Sequence, residues 1–249
     1  MAEGGEAEVL PLTDFFICRD YHPKEYLFAP PPSHAGLTPV RVLIDVLESA
    51  STDFDLTGQI VWSVSLLVSQ YLCFPGRAEC LAADTVLELG AGCGLAGLSC
   101  AAFGCPSVLL TDNEPEVLGI LERSVQRYPS SRVVPLSWGD DLSHAALEAA
   151  TGGRKKFPLL IGADVIYWSH SIPPLFDTVA RLLSQDGVFI LGFTNRRNGL
   201  KDAAEAAALA AGLEFTTVDP ATFLPDPCPE VFTKSLHLVT LYRMKLRGT

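Results

Sequence analysis

The stretch "VLELGAGCGLAG", residues Val86–Gly97, carries four glycines in its last eight positions. The short apolar run Val86–Leu89 is typical of a strand that is buried on both faces. Glycines in the turn after such a strand permit positive φ and let another group contact the main chain. The stretch therefore predicts a strand–turn–helix unit whose backbone lies against a ligand. A turn that only packs the helix on the strand is the alternative.

Short apolar strands and helical segments alternate from Asp84 to the end of the chain. This alternation predicts a Rossmann-like α/β fold, in which helices cover both faces of a doubly wound, mostly parallel sheet. No helix separates the last two strands, so we expect the final strand to be antiparallel. The seven predicted strands are TVLELG, SVLLTD, RVVPLSWG, FPLLIGADVIY, GVFILGF, LEFTTVD and LHLVTLYRM.

The chain of 249 residues divides into an N-terminal extension over residues 1–56 and a main domain over residues 57–249. The extension is rich in proline and partly irregular, with "FAPPPSH" as its plainest loop. Val40–Ser49 fits either a strand or a helix, and we favour a strand, which would allow a β-hairpin. Apolar residues at helical spacing predict a helix over Ile60–Leu72.

The overall composition indicates the size of the core, the charge of a partner and the state of the cysteines. A hydrophobic content of 48% supports a large core, and a formal net charge of −11 disfavours nucleic acid and favours a basic or lysine-presenting partner. Many acidic proteins have no such partner, and that reading stays open. Seven cysteines without a C-x-x-C pair indicate reduced thiols.

The sequence also bears on the cellular compartment of the protein and on metal binding. The amino terminus lacks a basic and apolar signal segment, and no apolar run reaches the length of a membrane span. We expect a cytoplasmic protein, with the nucleus as the alternative and no membrane partner. The five histidines show no ligand spacing, so we expect no metal.

Two classes of ligand compete for the glycine-rich turn. "GCGLAG" (Gly92–Gly97) satisfies the G-x-G-x-x-G pattern of dinucleotide-binding proteins, which alone is a weak signal. Gly90 directly follows the strand, however, so the turn begins two residues before that pattern. Asp112 ends the second strand, where an acid can accept hydrogen bonds from ribose hydroxyls.

At this point the sequence resembles the class I S-adenosylmethionine-dependent methyltransferases. "LELGAGCGLAG" is similar to their glycine-rich first motif and "LLTDNE" (Leu109–Glu114) to their second-strand acidic loop. "GADVIYW" (Gly162–Trp168) resembles the D-x-x-Y signature of methyltransferase family 16, the methyltransferase-like 21 type of protein-lysine methyltransferase. The segments "TGQIVWSVSLLVSQYL" (Thr57–Leu72) and "LSWGDD" (Leu136–Asp141) are similar to two further motifs of that family.

The resemblance implies a sheet of strand order 3-2-1-4-5-7-6 with strand seven antiparallel. It also implies S-adenosyl-L-methionine as the cofactor. The turn would lie under the methionine and ribose, an acid would accept from the ribose hydroxyls, and two tryptophans would lie at the adenine and methionine ends. The implied cofactor-binding residues are Trp62, Gly90, Ala91, Gly92, Asp112, Trp138 and Ala163.

The resemblance further implies a protein substrate that presents a lysine, and we expect the enzyme to be a monomer. Asp164 would capture the lysine or orient its N–H groups, and Tyr167 would line the acceptor site beside it. Three alternatives remain: transfer to another acceptor (a protein histidine or arginine, or a small molecule), an NAD(P)-dependent oxidoreductase, and a non-catalytic cofactor-binding module.

Overall fold

The computed structural model describes residues 21–47, 54–233 and 236–248. Cys18 and part of the predicted N-terminal extension lie outside these residues. The strands are β1 (Tyr21–Phe28), β2 (Val40–Leu47), β3 (Val86–Leu89), β4 (Val108–Asp112), β5 (Ser131–Pro135), β6 (Phe157–Ala163), β7 (Leu183–Thr194), β8 (Leu213–Val218) and β9 (Val239–Leu246). The helices are α1 (Ser63–Cys73), α2 (Arg77–Ala82), α3 (Leu95–Ala102), α4 (Pro115–Val125), α5 (Asp141–Ala150), α6 (Ile172–Leu182), α7 (Leu200–Ala210) and α8 (Glu230–Thr233).

Seven of the described strands form one sheet in the order β5-β4-β3-β6-β7-β9-β8. The pairs from β5 to β7 are parallel, whereas β9 lies antiparallel between β7 and β8. Counted from β3 as the first strand, this order is 3-2-1-4-5-7-6. The predicted fold class, strand order and antiparallel last strand are therefore confirmed.

The two faces of the sheet carry separate hydrophobic cores. Along β3, Val86 packs into the cluster that contains α1 and α3, whereas Leu87 and Leu89 pack into the cluster that contains α6 and α7. This division follows from the alternation of side chains along a strand. Both faces of the central strands are buried, which explains why their sequences are almost continuously apolar.

The described part of the N-terminal extension forms a hairpin of β1 and β2, and β2 lies against α3 and α4. The N–H of Asp45 donates to Ser124 Oγ at 2.9 Å, and its carboxylate forms an ion pair with Arg127 at 2.7 Å. Buried side chains of β2 belong to the same core as α1 and α3. The hairpin therefore shares a core with the main domain, and the division at residue 57 stays a prediction.

Three features depart from the sequence-based expectation. No helix was predicted between the last two strands, but the short helix α8 lies between β8 and β9. The predicted fourth strand extended to Tyr167, but β6 ends at Ala163 because Asp164 has a φ of +62°. A positive φ lies outside the β region and ends a strand. The sequence analysis also assigned no helix between the third and fourth strands, where α5 begins after Asp140, whose side chain accepts from Ser143 N–H.

The six described cysteines are free thiols, and all but Cys228 are buried. None of the helices in the described part of the chain is both long enough and apolar enough to cross a membrane.

Candidate functional site

A cavity of about 540 Å³ opens at the carboxyl ends of β3, β4 and β6. The strand order reverses at β3: β4 and β5 follow it on one side of the sheet, whereas β6 and β7 lie on the other side. Ligands of open α/β sheets bind at such a switch point. All nine residues predicted from the sequence line this cavity: Trp62, Gly90, Ala91, Gly92, Asp112, Trp138, Ala163, Asp164 and Tyr167.

The glycine-rich turn requires glycine for reasons of protein packing as well as backbone conformation. Gly90 and Gly92 have φ values of +60° and +54°. A Cβ at Gly90 would lie 2.9 Å from Val165 Cγ1 and 3.0 Å from Trp138 Cζ2, and one at Gly92 would lie 3.1 Å from the Gly58 carbonyl oxygen. The close approach that the glycines predicted is thus made, at these two positions, by atoms of the protein itself.

Asp112 fixes the edge of the cavity beside this turn. Its Oδ2 accepts the N–H of Gly92 at 3.1 Å, and its Oδ1 accepts those of Asn113 and Glu114 at 2.8 and 3.2 Å. Burial raises the pKa of the Asp112 carboxyl, and the three N–H bonds oppose that shift. An ionised carboxylate offers about four acceptor positions, so Asp112 keeps capacity for a donor in the cavity.

A second carboxyl group, that of Glu88, supports the turn from within the core. Glu88 Oε2 accepts the N–H of Gly97 at 2.8 Å. Burial, with a smaller contribution from the nearby charge of Asp112, raises the pKa of Glu88 to about 8, although the bond from Gly97 acts in the opposite direction. The group therefore holds its proton at neutral pH, which avoids the cost of a buried unpaired charge.

Aromatic and apolar side chains line two ends of the cavity. Trp138 follows β5 and lies next to Gly90, and Leu136 and Pro174 also line the cavity. Trp62 precedes the first residue of α1, and its indole N–H donates to the carbonyl oxygen of Thr57 at 2.8 Å. The hydrogen bond fixes the orientation of the Trp62 ring.

Asp164 lies at the end of β6, and its carboxylate is ion-paired. Both of its oxygens accept from the guanidinium of Arg196, with Nη1 to Oδ1 at 2.9 Å, and Oδ1 also accepts the N–H of Thr194 at 3.2 Å. The Asp164 side chain is 2% exposed and that of Arg196 is 34% exposed. The Arg196 guanidinium also lies 5.1 Å from the centre of the Trp62 ring. Sequence reasoning missed Arg196 entirely.

Tyr167 and Trp168 stand at the rim of the cavity. Their rings meet edge to face with centroids 6.1 Å apart, and Tyr167 is 39% exposed. Partial burial raises the pKa of the Tyr167 hydroxyl, and a side-chain hydrogen bond with Thr57 opposes that shift. Trp168 also contacts His170 and the guanidinium of Arg197.

No group of three or more His, Cys, Asp or Glu side chains in the described part of the chain is arranged to hold a metal ion. The assignment of individual residues to a cofactor or to an acceptor stays a prediction.

Comparison with known protein families finds one family, described as lysine methyltransferase, whose sequence model matches residues 44–206. Among curated proteins, the chain is 31% identical over 137 residues to protein N-lysine methyltransferase METTL21A of Danio rerio. It is 30% identical over 132 residues to histone-arginine methyltransferase METTL23 of Mus musculus. These matches cover 53% and 52% of this chain and 58% and 49% of the relatives, so the chain spans about half the length of the curated relatives it matches.

Among solved structures, the chain is similar to a TehB-like S-adenosylmethionine-dependent methyltransferase from Corynebacterium glutamicum, with a TM-score of 0.53. The match covers 76% of this chain and 90% of the other at 19% identity. At this identity, the likeness shows the fold alone.

Glu88 should make the stability of the protein depend on pH. Its carboxyl is protonated in the folded protein up to a pKa of about 8 but ionises near its ordinary value of 4.5 when the chain unfolds. Between these values unfolding releases a proton, so the free energy of unfolding falls as pH rises. We expect this fall to be smaller by ~1–3 kcal/mol in Glu88→Gln between about pH 5.5 and 7.5, measured by denaturant unfolding.

The glutamine carbonyl can still accept the bond from Gly97, so the variant should fold. An identical pH dependence in both proteins would mean that Glu88 is ionised in the folded state.

Proposed function

The chain belongs to the lysine methyltransferase family, and from this premise we propose that it transfers a methyl group from S-adenosylmethionine to a lysine of a protein substrate. One observation carries the proposal beyond family membership. The residues matched to the family's motifs come from five separate segments of the chain, and all of them line one cavity at the switch point of the sheet.

The residues of the cavity fit S-adenosylmethionine. Asp112, which retains acceptor capacity, would take the ribose hydroxyls in charge-assisted hydrogen bonds. Trp138, with the apolar side chains beside it, would pack against the adenine. The turn from Gly90 to Gly92 would lie under the methionine and ribose, with Ala163 on the floor and Trp62 toward the methionine end.

S-adenosylmethionine supplies a methyl group on a sulfonium, and an amine nitrogen takes that methyl by in-line displacement, which leaves S-adenosylhomocysteine and a proton. The task of the protein is then positioning, exclusion of water and electrostatics. Its lysine substrate must be deprotonated before it reacts, because an ammonium has no lone pair. Desolvation in the cavity lowers the pKa of the lysine from its ordinary value of about 10.4.

Asp164, Tyr167 and Trp168 form the proposed acceptor end. The two aromatic rings at the rim would contact the alkyl part of the lysine, and a methylated ammonium is attracted to such ring faces. Asp164 lies deeper in the cavity, so it would influence the amine rather than the alkyl part.

Other acceptors remain as alternatives. Similarity to METTL23, which is named as a histone-arginine methyltransferase, favours a protein arginine as the second candidate. We also propose that the protein acts as a monomer in the cytoplasm, with the nucleus as the alternative, on a protein rather than a nucleic acid. Its net charge of −11 supports the last point.

The decisive experiment is methylation of a cell extract with methyl-labelled S-adenosylmethionine, followed by mass spectrometry of each labelled protein. We expect label on a lysine side chain. Label on arginine alone would favour the second candidate. Binding of NADH instead of S-adenosylmethionine in calorimetry would favour an oxidoreductase.

Asp112→Ala should weaken S-adenosylmethionine binding. The change removes the proposed bonds from two ribose hydroxyls, each worth roughly 1.5–3 kcal/mol as a bond to a charged group. The affinity should therefore fall by at least about a hundredfold in calorimetry. Asp112→Asn, which keeps one carbonyl acceptor, should be milder. If a folded Asp112→Ala protein binds S-adenosylmethionine as tightly as the wild type does, the ribose assignment is wrong.

Asp164→Asn should keep most cofactor binding and lose most turnover, because the substitution removes the negative charge of Asp164 from the acceptor end. Asparagine tolerates a positive φ, so the backbone at +62° should survive the change. Tyr167→Phe should be milder, since its ring remains. Turnover on the labelled substrate, with calorimetry as the control for cofactor binding, measures both effects. A wild-type rate in Asp164→Asn would leave Asp164 a structural acid.

A further inference from the structure

The ion pair between Asp164 and Arg196 bears directly on how a lysine enters the cavity. Sequence reasoning treated Asp164 as a carboxylate available to capture an ammonium. In the structure both of its oxygens already accept from one guanidinium, and a backbone N–H occupies one of them as well. The charge that would attract a lysine is therefore compensated before any substrate arrives.

Arg196 is held in this place from two sides. The pairing is bidentate, the geometry in which a guanidinium binds a carboxylate most strongly. The side chain of Asp164 is 2% exposed, and removal of one partner from a buried pair is strongly unfavourable. The face of Trp62 lies 5.1 Å from the guanidinium carbon and provides a second favourable contact. An incoming ammonium, which offers no bidentate match, is poorly suited to displace this group.

The Asp164–Arg196 pair also determines the charge next to the acceptor nitrogen in the cavity. Arg196 lines the cavity together with Asp164. The other ionisable groups in the lining are Asp112, Glu114, Cys93, Tyr167 and His170. Asp112 is the last residue of β4 and Glu114 follows that strand, both on the side of the proposed ribose site. An amine next to Asp164 is therefore next to a fixed guanidinium, and a nearby like charge disfavours the charged form of a titrating group.

We propose that Arg196 is a positioning and specificity residue of the acceptor site, which neutralises Asp164 so that the target lysine is bound as a neutral amine and not as an ammonium. The inference rests on the proposed function. The lysine releases its proton to water before the nitrogen reaches the cavity, and the nitrogen arrives with its lone pair free. Asp164 then acts through Arg196, whose orientation it fixes, and does not capture the substrate directly.

The proposal predicts which side chain the acceptor end prefers. Two small probes separate charge from shape: the N-acetyl, N-methylamide derivatives of lysine and of norleucine, whose side chain is apolar. The protein contains three tryptophans, all of which line the cavity, and the ring of Trp62 lies against the guanidinium of Arg196. In a ¹⁵N-tryptophan-labelled protein saturated with S-adenosylhomocysteine, the shift of the Trp62 indole signal therefore reports probe binding without any turnover.

In the wild type at neutral pH, the norleucine probe should bind more tightly than the lysine probe by about a thousandfold, because an amine with a pKa of about 10.4 is neutral in only about one molecule in a thousand. Arg196→Gln should reverse the ranking, because the carboxylate of Asp164 then attracts the ammonium. Arg196→Lys keeps a cation and should keep the wild-type ranking. Arg41→Gln is the control: it removes the same charge from the exposed face of the hairpin, where Arg41 pairs with Glu25 and does not line the cavity, and should also keep that ranking.

If Arg196→Gln does not fold, Asp164→Asn takes its place and should strengthen the preference for the norleucine probe. A wild-type preference for the lysine probe would overturn the proposal, and so would a ranking that Arg196→Gln leaves unchanged. Failure of the wild type to bind either probe would overturn it as well. The proposed function is tested separately by the labelled extract, so a failure of one can be told from a failure of the other.

Discussion

The turn between β3 and α3 is held by two carboxyl groups, and the geometry of the cavity depends on it. Glu88 bonds the N–H of Gly97 from the core side, and Asp112 bonds the N–H of Gly92 from the neighbouring strand. One bond joins β3 to the first turn of α3, and the other joins the tip of the turn to the end of β4. A backbone with positive φ at three positions, Gly90, Gly92 and Gly94, is thus tied to both β3 and β4.

The opposite end of the cavity is held in a comparable way, by a carboxylate at the end of a strand. At Asp164 the chain turns away from β6 with a φ of +62°, which sends Tyr167 and Trp168 to the rim. The unusual backbone is held by bonds from Thr194 and Arg196 at the end of β7. Such strain persists where surrounding contacts hold it in place, and it clusters at functional sites. At both ends of the cavity, a carboxylate at a strand end, Asp112 or Asp164, accepts hydrogen bonds from a segment outside its own strand.

Local features of the sequence were sufficient to predict the sheet and the glycine-rich turn with its nearby acid, whereas the family resemblance supplied Trp62, Trp138 and Ala163. The apolar runs, the glycine-rich turn and Asp112 at the end of β4 are readable from neighbouring residues. Arg196 was not, because its position depends on the pairing of β6 with β7. That register sets Ala163 opposite Gly192, and it therefore brings Asp164 beside residues 194–196, some thirty positions away. The packing of Trp138 on Gly90 is similarly non-local, although α5 carried a readable signal in its capping Asp140.

The central claim is that S-adenosylmethionine binds in the cavity between the glycine-rich turn and Asp164. Amide hydrogen exchange of the wild-type protein, with and without the cofactor, tests this claim most directly. The account predicts slower exchange in the turn over residues 90–94 and after β4 over residues 112–114, with smaller changes near Trp138. The hairpin of β1 and β2, which does not line the cavity, should be unaffected. Protection confined to the hairpin, or none in the turn at saturating S-adenosylmethionine, would contradict the account.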